Sequence, residues 1–186
     1  MDMKTALLDS AEHAVRSRGF DGFSYADLAN SVGIRKASIH YHFPTKADLA
    51  LVLIKRYTES FYAALDVIAT DRANGGDCLR AYIAICRAAL ADGDELCLCV
   101  AFCTGRDSLS APVLAKLNDF HAAVTTWLTG VFALGQSDGS IRSVQNPDQE
   151  ARACLAQMEG AQLIARAAKN AVIFDQATAV TATRIR

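Results

Sequence analysis

The sequence predicts an all-α fold of about nine helices, with a three-helix module at the N-terminus followed by longer helices. Three observations carry this reading. Apolar residues recur at i, i+3 and i+4 along most of the chain. Capping residues and breakers cut that rhythm into segments. No two alternating segments joined by a turn read as a strand pair.

The elements follow in order. Ala6, Leu7, Ala11, Ala14 and Val15 share one helical face, so residues 3–18 form a helix that Gly19 stops. Ser24 with Asp27 is a capping-box pattern that opens a short helix over 25–31, broken at Gly33. A third short helix covers 35–42 and ends before Pro44, because a residue preceding proline avoids helical angles. Thr45 with Asp48 is a second box and starts a long helix over 46–70. Asn74-Gly75-Gly76 reads as a loop. Helices are expected over 77–91, 95–105 and 111–135, then a turn-rich stretch over 135–147, then helices over 148–170 and 174–183.

Hydrophobic residues make up 52% of the chain and charged residues 21%, which excludes a disordered protein. No uncharged apolar run is long enough to span a bilayer, and the N-terminus carries Asp2 and Asp9 with no apolar signal core. A cytoplasmic protein with no membrane partner is therefore expected, and its six cysteines should be thiols rather than a disulfide framework. Net charge is −1, but it is unevenly spread: residues 1–56 balance at +2 and the remainder at −3. A mildly basic end on an acidic body suits a chain that touches phosphate at one end only.

Residues 24–43, SYADLANSVGIRKASIHYHF, satisfy the steric demands of a helix-turn-helix together. Ala29 is small where the second helix approaches, and Gly33 stands where the turn needs positive φ. Leu28, Val32, Ile34 and Ile39 fall at the inward positions. The second helix of such a unit enters the major groove with its first residues on base edges, here Arg35, Lys36, Ala37 and Ser38. Arginine can pair with guanine O6 and N7, and an alanine methyl can meet a thymine methyl. His40, Tyr41, His42, Thr45 and Lys46, at or past its end, are candidates for phosphate contact. Ser24 and Tyr25 offer backbone N–H groups at a helix start to another phosphate.

Gly33-Ile34 through Phe43-Pro44-Thr45-Lys46-Ala47-Asp48-Leu49 resembles the TetR/AcrR family of transcriptional regulators. Gly33, Ile34, Lys36, Ala37, Ser38, Ile39, His42, Phe43, Lys46 and Leu49 match the family pattern, as do Gly19-Phe20 and Ser24 to Ala29 upstream. Arg35 stands where the family usually has a Ser or Thr cap, and His40 where it usually has Tyr. The specific resemblance covers about a quarter of the chain. It implies a DNA-binding domain over 1–45 and a helical ligand-binding and dimerisation domain over 46–186, with a homodimer built largely from the last two helices. It also implies a palindromic double-stranded operator, released when a small-molecule inducer or electrophile binds. The long helix after residue 46 is the expected lever between reader and pocket.

The residues support parts of this independently. Leu155, Met158, Gly160, Ala161 and Ile164 form a broad apolar face rich in small residues, suited to a dimer interface. Phe61, Tyr62, Tyr82, Cys86, Phe102, Phe120 and Trp127 are candidates to line an apolar pocket, with core packing as the alternative for each. Cys97, Cys99 and Cys103 admit three readings: inert core thiols, a site of oxidation or alkylation, or soft-metal ligands together with His121. Their spacing fits no strong zinc pattern, so no metal or other cofactor is expected. Asp92, Asp94 and Glu95 are expected to oppose thiolate formation at Cys97. Cys97-Leu98 resembles a pair carried by electrophile-sensing members of the family. An enzyme is not expected, since no P-loop, H-E-x-x-H, G-x-S-x-G or dinucleotide fingerprint occurs. A helical interaction module without DNA binding is the remaining alternative, and the basic reader speaks against it.

Overall fold

Helix boundaries follow the capping residues. The structure, a computed structural model, describes residues 3–186; Met1 and Asp2, the latter counted above in the N-terminal charge, lie outside the described residues. The helices are α1 (Met3–Arg18), α2 (Tyr25–Val32), α3 (Lys36–His42), α4 (Lys46–Asp71), α5 (Gly75–Ala88), α6 (Leu98–Thr104), α7 (Ala111–Ser137), α8 (Pro147–Ala167) and α9 (Val172–Ala182). A single antiparallel bridge, Ile141 with Ile185, is the only strand-like pairing among the described residues.

The chain divides into two compact units. The first runs to Glu59 and includes Cys97–Asp119. Leu7, Val15, Leu28, Ile39, Leu53 and Phe102 are buried in its core, so α6 packs with the N-terminal helices although the 60–96 segment separates them in sequence. Arg56 ties α4 to α1 through Asp9 and Glu12, at 2.7 Å each. The second unit comprises Ser60–Leu96 and Phe120–Arg186, with Leu79, Tyr82, Phe132, Met158 and Phe174 in its core and α8 packed along α9.

Several boundaries differ from the sequence reading, three of them with a clear physical cause. Gly75 and Gly76 are not loop residues but the first turn of α5, capped by Asn74, whose side chain accepts from Asp77 N. A Cβ at Gly75 would collide with the backbone of Gly135 and lie 2.7 Å from the Val131 carbonyl oxygen. The glycine is there for close approach of α5 to α7 rather than for a turn. The helix expected over 95–105 shortens to Leu98–Thr104, because Cys97 is extended (φ −51°, ψ 138°) and acts as its N-cap. The helix expected to reach residue 170 stops at Ala167, and Lys169 has left-handed φ of 49°.

No helix among the described residues is long and apolar enough to cross a membrane.

Candidate nucleic-acid interface

The α2–turn–α3 unit is built by local forces. Ser24 is extended, its side chain accepts from Asp27 N, and Asp27 accepts from Ser24 N at 2.7 Å, completing the capping box. Such a cap is worth about 1 kcal/mol. Gly33 adopts the left-handed conformation (φ 74°, ψ 32°), which lets its N–H and that of Ile34 both return to the Ala29 carbonyl at 2.9 and 3.0 Å. Leu28, Ala29 and Ile39 are buried between the helices, while Val32 and Ile34 are half-buried. The second box also forms: Thr45 N donates to Asp48 Oδ2 at 3.0 Å, and Asp48 N to Thr45 Oγ1 at 3.1 Å.

This arrangement leaves Arg35, Lys36 and Ala37 exposed at the start of α3 and Ser38 half-buried behind them. Arg35 is the N-cap and makes no side-chain capping bond, so its guanidinium is not committed to the helix start. Tyr41 is 84% exposed and stacks edgewise on His42. Between the starts of α2 and α4 lies an open cavity of about 430 Å³, whose polar lining includes Ser24, Lys36, His40 and Thr45.

Lys46, named above as a DNA candidate, and the side chain of Tyr25, whose backbone N–H was named, are engaged inside the protein. The Lys46 ammonium donates to the carbonyls of Phe20 at 2.5 Å and Phe23 at 2.7 Å, and lies over both rings at 4.7 and 4.1 Å. Burial holds its pKa below the ordinary value. Lys46 thus clamps the turn between α1 and α2. The Tyr25 ring is buried and its hydroxyl donates to the carbonyls of Phe43 and Thr45 at 3.0 and 2.6 Å. Burial, with Asp48 nearby, pushes this phenol up to about 12. The phosphate contact expected of Tyr25 concerns its backbone N–H and not this side chain.

The cysteines separate. Cys78, Cys86, Cys97, Cys99 and Cys154 are buried thiols and Cys103 faces solvent. Cys97 stands at the N-cap of the helix that carries Cys99, and the Cys99 thiol bonds to its sulfur. The Tyr57 hydroxyl donates to the same sulfur at 3.2 Å. Hydrogen bonds from Cys99, Tyr57 and the backbone of Val100 and Cys99 outweigh burial and lower the Cys97 thiol from 9.0 to about 7. The upstream carboxylates, expected to oppose this, are not among its causes. Tyr57 carried no signal in the sequence, because it meets Cys97 only through the packing of α4 with residues 40 positions away. By contrast burial, with the Glu150 charge, pushes Cys154 up to about 12.

The aromatic candidates fall into groups. Phe120 meets Phe61 at 5.2 Å and Tyr62 at 6.2 Å in the second unit, and Tyr82 meets Trp127 at 5.8 Å. The backbone carbonyl of the buried Cys86 accepts from Gln162. Phe102 belongs to the first unit, where its ring packs on Phe20 at 5.7 Å. A cavity of about 500 Å³ in the second unit is lined instead by His121, Ala122, Thr125, Thr126, Thr129, Asp148 and Arg152. His121 Nε2 lies 3.1 Å from Glu159.

On α8, Met158 and Ala161 are only 1% and 3% exposed and face the core, so they are not available to a partner. Leu155 and Gly160 are half-buried, and Ile164 is 60% exposed beside Leu163. The outward apolar face is therefore rotated from the one read in the sequence, because the apolar stripe is wide enough to serve the core and the surface together.

Comparison with known proteins agrees with this geometry. The family model for bacterial regulatory proteins of the tetR family matches residues 7–53. Over 47 residues the chain is 40% identical to the biofilm operon icaADBC HTH-type negative transcriptional regulator IcaR of Staphylococcus aureus (strain Newman), a match spanning 25% of each chain. The whole fold is similar to that of a TetR-family transcriptional regulator from Agrobacterium tumefaciens, with TM-score 0.92 and 30% identity, covering 98% of this chain and 97% of the other. It is also similar to a TetR regulator from Legionella pneumophila, with TM-score 0.87 and 25% identity, covering 100% and 98%. A helix-turn-helix reader and a helical body alike over nearly their full length show that this chain belongs to the TetR family of DNA-binding transcriptional regulators.

Proposed function

We propose that the protein is a homodimeric repressor that grips a palindromic operator with two copies of α3 and lets go when a signal reaches its helical body. The observation that carries this reading is the exposed start of α3, where Arg35, Lys36, Ala37 and Ser38 are presented without competing intramolecular duties for Arg35. In this reading Arg35, Lys36, Ala37 and Ser38 face base edges, and Ser24, the Tyr25 N–H, His40, Tyr41, His42 and Thr45 face phosphates. Residues 1–45 act as the reader and 46–186 as the regulatory part. Repression, rather than activation, is favoured by the likeness of the reader to a negative regulator.

A dimer is supported by α8 and α9. Ile164, Leu163, Val172 and Val180 are large apolar side chains left exposed, and a Cβ at Gly160 would meet nothing within 4 Å. A mid-helix glycine costs about 1 kcal/mol relative to alanine. With no neighbour inside the subunit to require it, close approach of a partner's helix accounts for it. Two half-sites also supply the contact area that one seven-residue helix lacks.

Two signals fit the body. A reactive thiol at Cys97 is favoured by the bonds from Tyr57 and Cys99, which stabilise a thiolate. Its helix reaches the reader within one compact unit: Phe102 packs on Phe20, Ser108 Oγ donates to Asp21 at 2.9 Å, and the Phe20 carbonyl holds Lys46 at the start of α4. An electrophile or oxidant acting on Cys97 would disturb α6 and thereby this turn. The second reading, a non-covalent apolar ligand with inert cysteines, is favoured by the Phe61–Tyr62–Phe120 cluster.

The test is binding of the purified protein to DNA from beside its own gene, before and after a mild electrophile or oxidant. Reversible loss of binding that disappears in Cys97→Ser supports the thiol reading; loss caused only by apolar ligands supports the second. Retention of normal binding by the Arg35→Ala, Lys36→Ala double variant would overturn the assignment of the reader.

A further inference from the structure

We propose that His40 is a proton-gated phosphate ligand, so that binding of DNA takes up a proton at each reading helix engaged. This deepens, and rests on, the reading of α2 and α3 as the DNA-binding surface.

The argument starts from a tautomer. His40 Nδ1 lies 3.2 Å from the Pro44 carbonyl oxygen. A carbonyl oxygen only accepts, so Nδ1 carries the hydrogen. In the neutral ring Nε2 then holds a lone pair. His40 lines the open cavity with Lys36, Ser24 and Thr45, a basic and hydroxyl-bearing recess suited to a phosphate. A phosphate oxygen is also an acceptor, so it cannot bond a neutral Nε2. Protonation turns Nε2 into a charged donor while the Nδ1 bond to Pro44 is kept. The ring is therefore oriented in advance by its backbone partner, and only its charge state decides whether it attracts or repels the phosphate.

The other charged and titratable groups on the adjoining elements leave that role open to DNA. On α2, Tyr25 sets its ring edgewise to the imidazole at 4.9 Å, and its hydroxyl is committed to two carbonyls. Asp27 accepts from Ser24 N and Oγ, both at 2.7 Å. At the start of α4, Asp48 accepts from Thr45 N and Oγ1, and Lys46 is held by Phe20 and Phe23. Both carboxylates thus serve the helix caps. Lys36 is the remaining cation of the recess. Histidine is the side-chain type that gains or loses a proton near neutral pH.

The sign follows from linkage. If the bound state holds a proton that the free state lacks, affinity falls as pH rises, by at most about tenfold per pH unit for each proton taken up. The experiment is a titration of the full chain by fluorescence anisotropy from about pH 6 to about pH 8 at constant ionic strength. The probes are a mixed-sequence duplex and DNA from beside the protein's own gene. Wild-type affinity is expected to fall with pH on both probes, since phosphate contacts carry no sequence information. His40→Gln should bind weakly and lose most of the slope, and His40→Arg should bind tightly with little slope. His121→Gln and Cys97→Ser should keep the slope, separating this effect from a histidine of the helical body and from the thiol. An equal slope in wild type and His40→Gln overturns the proposal while leaving the reader intact. Absence of DNA binding at every pH overturns the reader itself and this proposal with it.

Discussion

The phenolic hydroxyl of Tyr57 donates to the sulfur of Cys97 across 3.2 Å, joining the middle of α4 to the start of α6. This bond is one of the groups that bring the thiol down to about 7. The folded value lies below the ordinary one, so the thiolate contributes stability that is fully present above about pH 9 and is lost as pH falls through about 7. Alkylation by iodoacetamide, followed at Cys97 by mass spectrometry, should therefore rise through a midpoint near pH 7. Tyr57→Phe removes one stabilising donor and should move the midpoint upward. An unchanged midpoint would mean that Cys99 and the backbone groups suffice.

Lys46 gives a test between structure and recognition. Lys46→Met leaves the Phe20 and Phe23 carbonyls without their charged donor and should cost about 2 kcal/mol of stability. Thermal unfolding would read this. If Lys46 instead contacts a phosphate, the salt dependence of DNA binding should lose about one unit of slope. The geometry predicts a lower melting temperature with the salt slope preserved.

Glycines 75 and 160 should respond with opposite signs to the same change. At Gly75 an added methyl meets the Gly135 backbone, so Gly75→Ala should destabilise by about 1–3 kcal/mol despite alanine's better helix propensity. At Gly160 the direction is open, so Gly160→Ala should stabilise the isolated subunit by about 1 kcal/mol. Chemical denaturation of both variants at low protein concentration would compare them.

Ile164 is 60% exposed on the outward face of α8. If α8 forms the proposed dimer interface, Ile164→Glu should dissociate it without unfolding the subunit, because no core contact is lost. Sedimentation velocity with far-ultraviolet circular dichroism would show a helical monomer. A variant that stayed dimeric would move the interface elsewhere. The same substitution at the buried Met158 should unfold the chain instead, since it would bury an unpaired carboxylate.

What the sequence determined by itself is what depends on neighbours along the chain. The caps at Ser24 and Thr45, the left-handed Gly33 and the spacing of Ala29, Leu28 and Ile39 all act over a few residues, and each was legible. The all-helical class followed from the same periodicity. Tertiary structure decided which partner a side chain finds. Lys46 looks like a phosphate ligand until two carbonyls more than 20 positions earlier capture it. Gly75 looks like a turn until α7 is laid against it. Cys97 seems opposed by upstream acids until Tyr57 and Cys99 arrive at its sulfur. The face of α8 that turns outward was likewise undecided, because an apolar stripe states that burial is needed but not on which side. Hydrogen bonding and close packing act through space, and the sequence encodes that space only through the fold as a whole.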